Sequence, residues 1–198
     1  GQVVPAKEIT ALGRDRGIPV IVDGAHAFAN LEFDLRDLDC DYYATSLHKW
    51  LFAPIGTGLL YVKRDKILPT WPLMACDSKQ DGDVRKFEEI GTHPAGYALA
   101  VSDALSFHER LGPARKAARL RYLRERWVTP LSRHPRFKLN TSLKPGLSNS
   151  LCNFAIEGLD SAALAAHLFE KHRIFVVAIG HADCTGIRVS PSVYTSLE

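Results

Sequence analysis

Hydrophobic positions along the chain switch between a helical period and short continuous runs. From Pro5 to Arg16, Ile9 and Leu12 share one face of a 3.6-residue period. Pro5 suits a first turn and Gly17 can close the segment, so a helix is expected there. Ile18-Pro19-Val20-Ile21-Val22 is an apolar run ending at Asp23-Gly24, the pattern of a buried parallel strand. Further strands are expected near 41–46 and 59–62, with an Asp-rich connection from Phe33 to Asp41. Trp71 to Asp83 reads as a loop. After Gly91-Thr92-His93-Pro94, residues Ala100, Ala104, Phe107 and Leu111 recur at helical spacing. Gly112-Pro113 ends that helix and opens another, whose apolar stripe is Leu120, Leu123, Trp127 and Leu131.

The remainder has a different rhythm. A strand is expected at Leu151–Ile156, an Ala-rich helix at Ser161–Lys171, and strands at Ile174–Ile179 and Ile187–Ser190. This β-α-β-β run suggests a small α+β domain. The expected division is 1–128 and 129–198, with the boundary near Thr129, and no internal repeat is visible.

Composition narrows the class without naming a function. Hydrophobic residues make up 46% and charged residues 24% of the 198 positions, enough apolar surface to bury a core. The longest strongly apolar stretch without a charge, Trp50 to Val62, is shorter than the ~18 residues of a membrane span and is interrupted by Pro54, Gly56 and Gly58. The net charge is +3, and the excess is local: Arg110 to Arg126 holds seven basic residues and one acid. Such a segment reads first as the solvated face of an amphipathic helix and second as a polyanion-binding surface. No aromatic interleaving of the kind single-strand binders use accompanies it, which weighs against nucleic acid. Cys40, Cys76, Cys152 and Cys184 form no CxxC pair and fit no zinc template, so no metal site is expected. Free thiols fit a reducing compartment, and a cytoplasmic location is expected. The opening Gly1-Gln2-Val3-Val4-Pro5 and the closing Val193-Tyr194-Thr195 both read as cut ends, so a fragment is expected.

The chemistry gathers at two places. Asp23 ends a strand, where open α/β sheets bind ligands; capping the next turn would equally explain an Asp there. Ser46-Leu47-His48-Lys49-Trp50 follows the next expected strand and should reach the same edge. A lysine there can act as a nucleophile once desolvated, although most lysines are simply at the surface.

Lys49 follows Asp23 by 26 residues, and at this point the sequence resembles the class V, fold-type I family of pyridoxal 5'-phosphate (PLP) enzymes. The family motifs Asp-x-x-(Gln or His) and Ser-x-His-Lys match Asp23, His26, Ser46, His48 and Lys49, and Trp50 to Gly58 continues the likeness. Phe87-Glu88-Glu89-Ile90-Gly91-Thr92 resembles the segment that reaches the cofactor phosphate of a partner subunit, with Ile90 extra, as in the isopenicillin-N-epimerase-like branch. Arg188-Val189-Ser190-Pro191 resembles the small-domain segment whose Arg binds the substrate α-carboxylate.

The resemblance implies an α/β fold: part of a PLP-transferase large domain with a mainly parallel sheet, plus a small α+β C-terminal domain. It implies a homodimer and an amino-acid substrate. Lys49 would be the catalytic Schiff-base residue and Asp23 the partner of the pyridine nitrogen. His26 would meet the phenolic oxygen, Ser46 and His48 the phosphate, with Gly91 and Thr92 on the partner's cofactor. Arg188 would bind substrate. The family's phosphate-cradling turn and ring-stacking side chain have no match in these residues, so weak PLP binding by this chain alone is expected.

An aminotransferase-family epimerase is the first reading; a cysteine desulfurase or lyase of the same family is the alternative. The desulfurase reading needs a nucleophilic Cys. Cys184 is only four residues before Arg188, and Asp183 beside it disfavours a thiolate. A reading of another class is an inactive fragment or binding module using the basic 110–126 helix.

Overall fold

A computed structural model describes residues 1–181 and 184–197. The chain divides into one compact unit of Pro5–Leu111 and a second of Gly1–Val4 with Gly112–Glu198.

The first unit opens with α1 (Ala6–Asp15), which starts after Pro5. Its buried residues are Thr10 and Gly13, whereas Ile9 and Leu12, the expected apolar stripe, are exposed. Gly13 explains the choice of face: a Cβ there would stand 2.5 Å from Val20 Cγ2, so the glycine lets the helix close on the strand segment. The chain then forms β1 (Ile21–Asp23), α2 (Leu35–Leu38), β2 (Tyr42–Ser46) and β3 (Gly58–Val62). These strands make a sheet of order β1-β2-β3. β1 runs parallel to β2, and β3 antiparallel to it. The sheet is therefore mixed, where a mainly parallel one was expected: after Ser46 the loop of residues 47–57 brings the chain back so that Gly58 pairs with Ser46 and β3 returns antiparallel. β1 is an edge strand, and Ile21 is 67% exposed rather than buried.

The Asp-rich connection is an electrostatic clamp on this unit. Asp39, in the left-handed region at φ 51°, accepts from Arg14 of α1 and from Lys63 Nζ at 2.7 Å. These contacts, led by the Lys63 hydrogen bond, hold the Asp39 carboxyl below its ordinary range. Asp41 accepts from the Val20 amide at 2.8 Å and so fixes the start of the parallel ladder. After β3 come α3 (Arg64–Ile67), two 3-10 turns and α4 (Ala95–Leu111). Leu47, Leu51, Ala53 and Ala104 of α4 form a buried cluster, packed by Phe28, Ala29 and Val101.

The second unit carries α5 (Pro113–Leu131), β4 (Phe137–Leu139), β5 (Cys152–Ile156), α6 (Ser161–His172), β6 (Val177–His181) and β7 (Cys184–Val189). Its sheet has the order β4-β5-β7-β6, with every pairing antiparallel. Trp127 of α5 packs on Phe154 of β5 at 5.4 Å between ring centroids, and Phe137 stacks on Phe154 at 5.2 Å. The units part between Leu111 and Gly112, whereas the sequence reading put the boundary near Thr129. The whole of α5 goes with the second unit because its buried side chains reach the 148–154 segment.

The basic segment is largely used inside that unit. Arg124 is 2% exposed; its Nη1 donates to Ser148 Oγ at 2.7 Å and to the Asn149 carbonyl at 2.6 Å. Arg121 donates to Asn149 Oδ1 at 3.2 Å and Arg119 to the Thr195 carbonyl at 3.1 Å. Lys116 is 1% exposed. The expected solvated face thus loses Lys116 and Arg124 to the interior, where arginine hydrogen bonds hold the loop before β5.

Burial pulls the Lys116 ammonium down from 10.5 to about 8. Between those values the unfolded chain binds more protons at this lysine than the folded one, so its contribution to stability rises with pH across the window and is flat below it. Lys116→Met removes that contribution. In urea melts, the stability of the Met variant relative to wild type should therefore fall as pH rises from about 8 to about 10.5. A difference that stays constant over this range would contradict the burial account.

Candidate active site

The site begins where β1 stops. Asp23 lies opposite Ala44 in the parallel register, and the next amide, Gly24 N–H, donates to the Ala44 carbonyl at 2.8 Å. Asp23 Oδ1 accepts from the Ala25 amide at 2.9 Å, closing an Asx turn that aims the carboxylate out of the strand end. Among the described residues, Asp23 Oδ2 has no hydrogen-bond or ion-pair partner. Gly24 sits against Tyr43: an added Cβ would lie 1.9 Å from Tyr43 Oη. The Gly24 carbonyl accepts from Thr45 Oγ1 at 3.2 Å and Tyr43 Oη at 3.4 Å, and from the amides of Ala27 and Phe28. Burial pushes the Tyr43 phenol well up, so it stays a neutral donor.

The second loop follows β2 at the same edge. Its apolar residues point inward: Leu47, Trp50 and Leu51 are buried, Leu51 at 1% exposure. Ser46 and Lys49 are left half-buried and His48 exposed, which is how a short turn presents polar side chains from an apolar anchor. The loop closes on itself through Leu47 N–H to the Thr57 carbonyl (3.1 Å) and Ala53 N–H to the Leu47 carbonyl (3.2 Å). Phe52 takes φ 68°, uncommon for an aromatic residue, and its ring meets Phe107 edge-on at 6.3 Å. Among the described residues no hydrogen bond or ion pair engages Lys49 Nζ.

The two loops are tied together. Trp50 Nε1 donates to His26 Nδ1 at 3.3 Å, and the rings meet edge-on at 6.3 Å. Asn30 Nδ2 donates to the His26 carbonyl at 2.9 Å. The Trp50 bond assigns the lone pair to Nδ1 and leaves Nε2 to carry the proton in the neutral ring. Trp50 and Tyr43 thus have positioning roles that the sequence pattern could not separate from ordinary core packing.

Five expected residues, Asp23, His26, Ser46, His48 and Lys49, come together on these two loops. Gly91 and Thr92 lie in an exposed connection ahead of α4, with Gly91 at φ 75°; among the described residues they make no hydrogen bond to either site loop. Arg188 is on β7 in the other unit. Cys184 is exposed on the same strand, its Sγ 3.7 Å from Asn153 Oδ1, and Asp183 lies outside the described residues. An open apolar groove of about 490 Å³ around Ile21, Leu60 and Trp71 contains none of the expected site residues. Among the described residues there is no cluster of three metal-ligating side chains, and no helix is long and apolar enough to cross a membrane.

The chemistry of this donor set suits a pyridoxal group. A strand-end carboxylate with one open oxygen, an unpaired half-buried amine and adjacent hydroxyl and imidazole groups share one edge. The model of the aminotransferase class-V family matches residues 1–198. Isopenicillin N epimerase of Streptomyces clavuligerus is 32% identical over 215 residues, covering 100% of this chain and 54% of that protein. The Amycolatopsis lactamdurans protein of the same name is 33% identical, over 99% of this chain and 53% of its own. Among solved structures, the cystine C-S lyase in complex with its reaction product cysteine persulfide has a TM-score of 0.81 at 27% identity, covering 99% of this chain and 54% of its own. The apo cysteine desulfurase from Thermococcus onnurineus NA1 shares the fold, with TM-score 0.82 at 24% identity over 100% of this chain and 53% of that one. The chain spans about half the length of the curated relatives it matches.

The Gly24 contact generates a direct test. Gly24→Ala forces Tyr43 or the Asp23 turn to move, because backbone and a buried ring cannot both stay. The expected loss of stability is about 1–3 kcal/mol, the usual range for overpacking, measured by chemical denaturation.

Proposed function

Because the chain belongs to the class-V aminotransferase family, we propose that it forms part of a PLP-dependent enzyme acting on an amino acid, with Lys49 as the residue that carries the cofactor. One observation supports the reading: β1 and β2 run parallel, so Asp23 at the end of β1 and the turn that carries Lys49 after β2 leave the sheet at the same edge. PLP, when bound, supplies an electron sink for the pair left at the substrate Cα.

The roles of the side chains follow from their chemistry. The open oxygen of Asp23 holds a proton on the pyridine nitrogen through a charge-assisted hydrogen bond. Lys49 Nζ, unpaired and half-buried, takes and returns the proton at Cα. His26, held by Trp50, presents its Nε2 to the phenolic oxygen. Ser46 and His48 hold the phosphate, and Arg188 binds the substrate carboxylate as a bidentate fork. In the same reading the protein is a cytoplasmic homodimer, with Gly91 and Thr92 reaching the partner's cofactor phosphate.

Epimerase-like chemistry is favoured over desulfurase chemistry. The epimerase relatives match across 99–100% of this chain. A cysteine desulfurase from Synechococcus elongatus is 30% identical over 85% of it. Cys184 lies on the same strand as Arg188, and its thiol is engaged with the Asn153 side-chain oxygen Oδ1 at 3.7 Å rather than left open as a nucleophile.

The test is covalent trapping. Protein incubated with PLP and reduced with borohydride should carry the adduct on the peptide containing Lys49, and Lys49→Ala should carry none. Turnover should fall by at least the ~10²–10⁴-fold of a lost acid–base group. An adduct of equal yield elsewhere in Lys49→Ala would overturn the assignment.

A further inference from the structure

One face of the second unit's sheet holds buried donors with nothing to donate to. Asn153 on β5 and Arg188 on β7 are direct partners in the antiparallel register, so their side chains stand on the same face, with Cβ atoms about 4.5–5.5 Å apart. Asn153 is 7% exposed. Its Nδ2 and the Nε of Arg188 are both buried and without a hydrogen-bond partner among the described residues.

The orientation of the Asn153 amide is set by its neighbours. Asn140 Nδ2 donates to the Thr185 carbonyl at 2.9 Å, which leaves no doubt that this atom is the nitrogen. The same Nδ2 donates to Asn153 at 2.7 Å, so the Asn153 atom facing it is the oxygen. Cys184 Sγ also donates to that oxygen, at 3.7 Å. Gly186 makes room for it: a Cβ there would lie 2.8 Å from Asn153 Oδ1, and the residue has φ 147°. Backbone and side chains together spend every acceptor of Asn153 and leave its NH2 group unused. No described ion pair engages Arg188 either.

Two buried N–H donors side by side, one of them on a half-buried guanidinium, lack an acceptor. A buried donor without a partner is costly, and the group that resolves both deficits, and suits the guanidinium charge, is an anion with at least two acceptor oxygens. We propose that Asn153 is a second carboxylate-binding residue, its Nδ2 donating to the same substrate carboxylate that Arg188 grips. This rests on the substrate-binding role of Arg188 given above. It adds that Asn140, Cys184 and Gly186 are positioning residues: they fix the amide so that only its NH2 end faces the ligand. The site then reads a carboxylate against a carboxamide, because a carboxamide presents an NH2 of its own to one of the donors.

The test uses NMR of this chain with propionate as the probe and propionamide as its control, at constant ionic strength. Titration with propionate should move the Asn153 side-chain NH2 signals and the Arg188 Nε–H signal with one common half-saturation concentration. Propionamide should leave both in place. Arg188→Gln should abolish the Asn153 response. Asn153→Asp, which keeps the acceptor for Asn140 and removes the donor, should raise the half-saturation concentration about tenfold or more. The wild-type titration stands even where a variant folds poorly. A response at Arg188 without one at Asn153 overturns this inference and leaves the Arg188 role intact. Silence at both positions overturns the two together.

Discussion

The parallel ladder of Ile21–Asp23 against Tyr42–Ala44 is the constraint on which the candidate site depends. A parallel pair sends both of its carboxyl ends to the same edge, so two loops 26 residues apart in sequence become neighbours without any loop-to-loop design. The ladder can close because two glycines remove side chains where elements must touch. Gly13 lets α1 reach Val20, and Gly24 lets the turn after Asp23 rest against Tyr43. The Asp41 carboxylate then caps the start of the ladder at Val20, and Asp39 binds Arg14 and Lys63 beside it. Surface ion pairs of this kind contribute little singly. Here they matter by holding the strand ends in register.

The Lys49 loop illustrates how an apolar anchor serves a polar function. Leu47, Trp50 and Leu51 are buried, with Leu47 and Leu51 in the core cluster beside Ala104, and the residues between them are forced outward. Trp50 does both jobs, since its ring is buried while its indole N–H holds His26. Lysine at position 49 is therefore held by its backbone and left chemically uncommitted, which is the state a reactive amine requires.

The second unit solves a different problem with the same economy of polar atoms. Arg124 and Arg121 are spent on Ser148 and Asn149, and Arg119 on the chain near Thr195. A segment with seven basic residues and a single acid thus acts in good part as internal scaffolding. Arg124 keeps one buried donor, its Nε, without a partner, but Asn153 and Arg188 differ in that two such donors stand side by side on one sheet face. Because buried polar groups are nearly always paired, such leftovers point to a ligand more reliably than exposed charge does.

Much of the architecture was legible in the residues. β2 and β3, α4, α5 and α6 fall where hydrophobic periodicity puts them, because each has a long enough pattern to count. β4 spans only Phe137–Leu139, too short for a period to emerge, and α2 is a four-residue turn capped by Asp34. The motif spacing of Asp23, His26, Ser46, His48 and Lys49 carried the likeness to the family whose model matches residues 1–198. Periodicity could not say that Ile9 and Leu12 face outward, that Lys116 and Arg124 face inward, or that β3 returns antiparallel. It also gave no sign that Asn153 would stand across from Arg188 with its NH2 unused. A sequence records which side chains are available and at what interval. Which of them lose water, and which find a partner when they do, is decided only when distant segments pack, because burial and hydrogen bonding depend on neighbours that the linear order does not contain.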